Sequence, residues 1–265
     1  MVRLCTELRL GIRLLFIALI IISSDSGIAS ESALSKEIRH SVQPYLLPAE
    51  HPTKIILDRI FSERRVLLNA RNLKKAGFSA SKPRKFTKLI IATHPQLPGY
   101  FFKLYLDNQR YYKDMPEYEQ WILRVQGVTL IREEILKHDW NLLFKVPQKW
   151  IYMMPEGGPG CPPDFLEKYT ILVEENMNLI KGVENARLWK SDDISYELLS
   201  ALFLLVKNLG LHDCLKPDNL PFSTDGRVAF IDTQSYGESV DLKRLGNSLS
   251  YKNKKFWNEL IDHND

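Results

Sequence analysis

Eight residues, His212-Asp213-Cys214-Leu215-Lys216-Pro217-Asp218-Asn219, crowd carboxylates, an amide and a lysine into one short stretch. Asp232 follows thirteen residues after Asn219. Carboxylate and amide oxygens are the donors that hard divalent cations such as Mg²⁺ accept. A lysine offers a compact positive charge to an anion. Upstream, Lys103 interrupts the apolar run Tyr100-Phe101-Phe102-Lys103-Leu104-Tyr105-Leu106. Each residue alone has a plainer role. A strand lysine can snorkel at a sheet edge, aspartates can form turns, and Cys214 can be a small buried hydrophobe. Lys216, Asn219 and Asp232 together are more specific than any one of them.

The elements that must position these groups follow from the hydrophobic pattern. Residues 33–76 read as helices punctuated by Pro44, Pro48 and Pro52. Lys88–Thr93 and Tyr100–Asp107 read as two strands of a hairpin across the turn residues His94–Gly99. Pro116–His138 reads as a helix, with Tyr118, Trp121, Ile122 and Val125 on one face and Gly127 as a site of bending. A strand is predicted within Leu142–Met154, a loop from Glu156 to Pro163, and a further strand at Tyr169–Glu175. Ser195–Leu209 is an amphipathic helix, with Asn208 and Gly210 suited to its exit. Leu220–Phe222 and Arg227–Asp232 are short strands joined by the turn at 223–226. The last 33 residues are polar with a little helix.

Composition bounds the function. The 265 residues are 45% hydrophobic and carry 13 Gly and 14 Pro, which excludes disordered and collagen-like chains. A net charge of +4, with no block of like charges, gives no nucleic-acid footprint. The first thirty residues stand apart. Arg3, Arg9 and Arg13 precede nine apolar residues, Leu14–Ile22, and small polar residues follow. That order is expected of a secretory signal peptide, with a membrane anchor over residues 10–22 as the alternative. Beyond residue 30 only Cys161 and Cys214 remain, enough for one disulfide that nothing demands.

The loop His212–Asn219 resembles the catalytic loop of protein kinases, whose pattern is H-R-D-L-K-P-x-N. The resemblance extends in element order over residues 77–235. It implies an α+β fold: a reduced kinase-like fold with a mainly β first lobe over 77–177 and a truncated helical second lobe over 178–265. Residues 31–76 form a helical N-terminal extension to it. It also implies roles. Lys103 resembles the strand-three lysine that grips the nucleotide's phosphates. The helix from Pro116 would supply that lysine's partner, with Glu119 the first choice and Glu117, Glu133 and Glu134 as rivals. Tyr169–Glu175 resembles the strand and hinge that hold the adenine, which brings Glu174 to the nucleotide. Asn219 and Asp232 would hold Mg²⁺, Lys216 would stabilise the transferred phosphoryl group, and Asp213 would act as base.

The sequence departs from the family in three places. Five residues before Asn219, where the family has its catalytic Asp, stands Cys214, and Asp213 lies one residue early. Asp232-Thr233-Gln234 replaces D-F-G, and too little chain follows for a long activation segment. No G-x-G-x-x-G precedes Lys103, and Gly77–Ser81 is a poor substitute. The expectation is a divergent phosphotransferase that binds ATP and Mg²⁺. The alternatives are a pseudokinase-like module with a protein partner, or an exported α+β binding protein without nucleotide. An exported kinase would need ATP from a host cell or an organelle lumen, and membrane contact would come only through the N-terminal segment.

Overall fold

In the computed structural model, residues 27–110 and 115–263 are described. The chain divides into two units, Met1–His40 and Ser41–Asp265. The described part of the first belongs to helix α1, Gly27–Val42. The expected leader falls mainly on residues 1–26 and the alternative anchor wholly there, outside the described residues. Among the described residues no helix is long and apolar enough to cross a membrane.

The second unit is α+β. Helices α2 (Pro52–Ser62) and α3 (Ala70–Lys75) lead into strands β1 (Ser79–Ala80), β2 (Ile90–Thr93) and β3 (Tyr100–Leu104). Helix α4 (Glu117–Lys137) follows, then β4 (Phe144–Lys145), β5 (Lys149–Met153) and β6 (Thr170–Glu175). After these come α5 (Gly182–Trp189), α6 (Tyr196–Leu209), β7 (Val228–Ala229), α7 (Lys243–Gly246) and α8 (Tyr251–Asp262). Five strands form one antiparallel sheet in the order β1-β2-β3-β6-β5, and β4 pairs with β7 in a small parallel sheet. Three strands of the five-stranded sheet, a long helix, the sheet's two remaining strands and then a helical region is the element order that the kinase resemblance implies.

The sheet's alternation divides its side chains between two faces. Ile90, Ala92, Phe102, Leu104, Ile171, Val173 and Tyr152 point to a core closed by Leu57 and Phe61 of α2 and Leu73 of α3. Helices α2 and α3 therefore roof the sheet and share its core. Arg65 fixes that roof. Its guanidinium donates to both carboxylate oxygens of Asp107 at 2.8 Å and to the Lys168 carbonyl at 2.7 Å. A planar guanidinium matches a carboxylate in this two-pronged way.

A second core lies among the later helices. Leu198, Leu199, Leu202, Leu205 and Val206 of α6 meet Ile131 and Ile135 of α4, Trp189 of α5 and Trp257 of α8. Ser195 caps α6 by accepting from the Leu198 N–H at 3.1 Å, and Gly210 ends it at φ 62°. The C-terminal segment holds more order than its polarity suggests. Asn253, Trp257 and Ile261 recur at helical spacing and are all buried, so α8 closes the second core. Helix α5 was not evident in the sequence. Its Asn185 and Trp189 brace the loop region, donating to the carbonyls of Pro217 and Leu220 at 2.8 and 2.9 Å.

Gly127 does not bend α4 to a break; the helix runs through it. Its role is close approach. A Cβ there would stand 1.7 Å from the Thr233 carbonyl oxygen. Thr233 in turn donates its hydroxyl to the Arg124 carbonyl at 2.6 Å. Gly→Ala inside a helix ordinarily gains about 1 kcal/mol. We expect Gly127→Ala instead to destabilise by more than about 2 kcal/mol, because the 231–233 segment must be pushed off the helix. Urea unfolding of the two proteins checks this; a neutral or stabilising effect would contradict the contact.

Candidate functional site

The face of the sheet opposite the roof carries charge. Antiparallel register pairs Lys103 with Leu172 and Phe101 with Glu174, so Lys103 and Glu174 are diagonal neighbours on one face. Lys149 lies directly opposite Glu174 on the other side of β6. Three adjacent strands therefore present Lys103, Glu174 and Lys149 in a row. Lys103 Nζ lies 2.8 Å from the Glu174 carboxylate and Lys149 Nζ lies 3.3 Å from it. Both ammonium groups also donate to the Ile231 carbonyl, at 3.3 and 2.9 Å, and Lys149 donates to the Thr233 hydroxyl at 3.1 Å. The charged row thus grips the backbone on either side of Asp232. Asp232 is itself held by Arg124 of α4 at 2.7 Å.

These groups set one another's protonation. Burial pushes the Lys149 ammonium down to about 7; Lys103 and Arg124 push the same way, while Glu174 and Asp232 oppose. Burial acts to raise Asp232, but Arg124, Lys103 and Lys149 outweigh it and hold the carboxyl at about 2. Glu174 is likewise buried, and Lys103 and Lys149 keep it below the usual carboxylate range. Both acids therefore stay ionised near neutral pH.

The row opens into a cavity of about 130 Å³. Its lining includes Lys103, Glu174, Asn219 and Asp232, so four of the residues singled out in the sequence meet there. Others do not. Glu119 is exposed in the first turn of α4, and the partner of Lys103 is Glu174. Of the rival glutamates, Glu117 accepts from the Tyr169 N–H at 2.9 Å, and Glu134 accepts from Lys137 and Asn208. The helix sends Arg124 to the site where the resemblance implies a carboxylate.

The loop after α6 resolves how Asp213 and Cys214 are oriented. Leu211, Cys214, Leu215 and Leu220 are all buried in the second core. Cys214 is 1% exposed and its thiol donates to the Asp232 carbonyl at 3.2 Å. Burial, reinforced by Asp232 and Asp213, pushes that thiol up to about 12. Asp213 faces outward, held by Lys216 at 2.5 Å and Arg244 at 3.4 Å, and is not part of the cavity lining. Asn219 closes the loop by donating its amide to the Asp213 carbonyl at 2.7 Å. Cys161 and Cys214 form no disulfide with each other.

Arg124, Lys149, Arg84 and Lys181 escaped the sequence reading. Lys149 gave a weaker signal than Lys103, since it opens its strand ahead of the apolar run Trp150-Ile151-Tyr152 and does not interrupt it. Arg124 lay on a helix read only for its apolar face.

No protein-family model and no curated protein matches the sequence. Among solved structures, a MAP kinase from Leishmania major is similar at 13% identity and a TM-score of 0.29, over 62% of this chain and 48% of that one. The complex of Rv3197 with erythromycin from Mycobacterium tuberculosis is similar at 12% identity and a TM-score of 0.30, over 92% of this chain and 69% of that one. The chain thus spans about half the length of the MAP kinase. Likenesses this distant decide nothing about the site.

Lys149 makes the site measurable through pH. Its amine is protonated up to about 10.5 when unfolded but only to about 7 when folded. It therefore opposes folding below pH 7, and that cost fades as pH rises from about 7 to 10.5. We expect the stability of Lys149→Met to rise less over this window than that of the wild type. Thermal melts of both proteins across the window check it; parallel curves would contradict the depressed pKa.

Proposed function

We propose that the chain is a divergent kinase-like protein whose cleft binds the phosphates of ATP. The supporting observation is the convergence of Lys103, Asn219 and Asp232 on one cavity from three separate parts of the chain. Residues 129 positions apart, Lys103 and Asp232, reach the same cavity through the sheet and the loop–strand segment.

The donor set suits Mg²⁺. An ionised carboxylate and an amide oxygen line the cavity, and Mg²⁺ commonly takes one or two protein oxygens and completes its shell with phosphate and water. Asp232 and Asn219 would hold it. Bound there, the metal would neutralise phosphate charge. Lys103 would orient the phosphates, while Glu174 keeps its ammonium aimed along the sheet face. The Arg124–Asp232 pair would have to loosen for Asp232 to turn to a metal.

The loop favours binding over transfer. A base must approach within about 3 Å of the hydroxyl it activates. Cys214 is buried and protonated, and Asp213 is engaged by Lys216 and Arg244 outside the cavity lining. Slow transfer, or nucleotide binding without transfer in service of a protein partner, fits that geometry.

Thermal melts with and without millimolar ATP and Mg²⁺ test the binding, since a ligand of the native state raises apparent stability. We expect ATP to raise the Tm of the wild type, and Asp232→Asn and Asn219→Ala each to lose the Mg²⁺-dependent part. A wild type that ATP leaves unmoved would overturn the reading. Radiolabelled transfer, autophosphorylation included, on wild type, Asp213→Ala and Cys214→Asp then separates the two modes. Robust wild-type transfer abolished by Asp213→Ala would establish an active enzyme.

A further inference from the structure

The connection between β1 and β2, Ser81-Lys82-Pro83-Arg84-Lys85-Phe86-Thr87-Lys88-Leu89, occupies the place where a phosphate-cradling loop would have to lie. It contains no glycine and four cations. Its backbone closes on itself. The Ser81 N–H donates to the Ile91 carbonyl at 2.8 Å, the Arg84 N–H to Leu89 at 3.0 Å, and the Lys88 N–H to Arg84 at 2.9 Å. Pro83 has no N–H to give. With the N–H groups of Ser81, Arg84 and Lys88 engaged and Pro83 offering none, the loop is not the continuous nest of free amides that wraps a phosphate. Besides Leu89, the loop offers the cavity the side chain of Arg84, whose own backbone is pinned on both sides.

Lys181 also lines the cavity, from the start of α5. Its ammonium lies over the Phe101 ring at 5.1 Å. The lining therefore holds four cations, Arg84, Lys103, Arg124 and Lys181, against the carboxylates Glu174 and Asp232. Lys103 and Arg124 are matched by those two acids. Arg84 and Lys181 have no ion pair among the described residues, so the excess positive charge of the cleft is theirs. A guanidinium fork and a second cation, both left uncompensated in one cavity, suit a ligand with several adjacent anionic groups.

We propose that the cleft grips a polyphosphate directly through the side chains of Arg84 and Lys181, and that this grip does not require Mg²⁺. This deepens the nucleotide reading and rests on it for the adenosine half of the ligand only. The metal, where present, adds to a phosphate site that the protein's own cations already form.

The test is calorimetric titration of the full chain, in EDTA and in Mg²⁺, with inorganic tripolyphosphate, ATP and adenosine. Wild type, Arg84→Ala and Lys181→Ala are compared. Both side chains are exposed, so neither variant should unfold the protein, which circular dichroism verifies. Tripolyphosphate and ATP should bind wild type in EDTA, more weakly as salt rises, and each variant should lose about tenfold in affinity. Binding of ATP only with Mg²⁺, and equally well by both variants, would overturn the cation grip and leave the nucleotide reading standing. Tripolyphosphate binding that the variants lose, with no binding of ATP, would support the grip and remove the nucleotide. Failure of both ligands in both buffers would overturn both readings.

Discussion

Five charged groups, Lys103, Lys149, Glu174, Arg124 and Asp232, lie together between the sheet and the loop–strand segment, and the fold depends on their mutual compensation. An uncompensated buried charge costs several kcal/mol, so none of them can be left alone. That requirement fixes geometry. β3, β6 and β5 must keep the register that lines up Lys103, Glu174 and Lys149. Residues 231–233 must stay close enough for Ile231 and Thr233 to accept from the two lysines. Gly127 permits that distance, since any side chain there would occupy the place of the Thr233 carbonyl. The apolar cores on either side supply the burial, and the charged layer decides how the sheet and the later segment meet.

The charges are distributed differently from what the kinase resemblance implies. There the long helix supplies an acid to the strand-three lysine. Here the acid sits on β6 and the helix supplies Arg124, which holds Asp232. The exchange conserves pairing while moving each charge to a different element. Asp232 becomes the group under restraint, and Lys103 is restrained by the sheet itself, without reference to the helix. The acid partner of Lys103 thus lies on the sheet, and the helix contributes to the charged layer through its hold on Asp232.

The loop between α6 and β7 carries a second constraint. Leu211, Cys214, Leu215 and Leu220 anchor it in the second core. With Cys214 inside, Asp213 is outside and meets Lys216 and Arg244. Packing, then, places the thiol at the Asp232 carbonyl and the carboxylate at the surface. The same region that keeps Asn219 and Asp232 on the cavity takes its one acidic candidate base away from it.

Much of the architecture was legible in the sequence because it is local. The hairpin of β2 and β3, the helix from Glu117, the strand ending at Glu175 and the capped helix α6 all follow from periodicity and from cap and turn residues. Lys103, Asn219 and Asp232 were legible because residue types and spacing single them out. The partner of Lys103 was not. Glu119, Glu117, Glu133 and Glu134 share a helix, and which face of it meets the sheet is set by packing across the chain, which sequence spacing does not encode. Glu174 reaches Lys103 because β3 and β6 pair in one register, a contact between residues 71 positions apart. The choice between Asp213 and Cys214 likewise waited on which side chain the second core admits. Sequence determined the elements and the chemical groups; the tertiary structure decided their pairing, because ion pairs and burial are settled between segments that are distant along the chain.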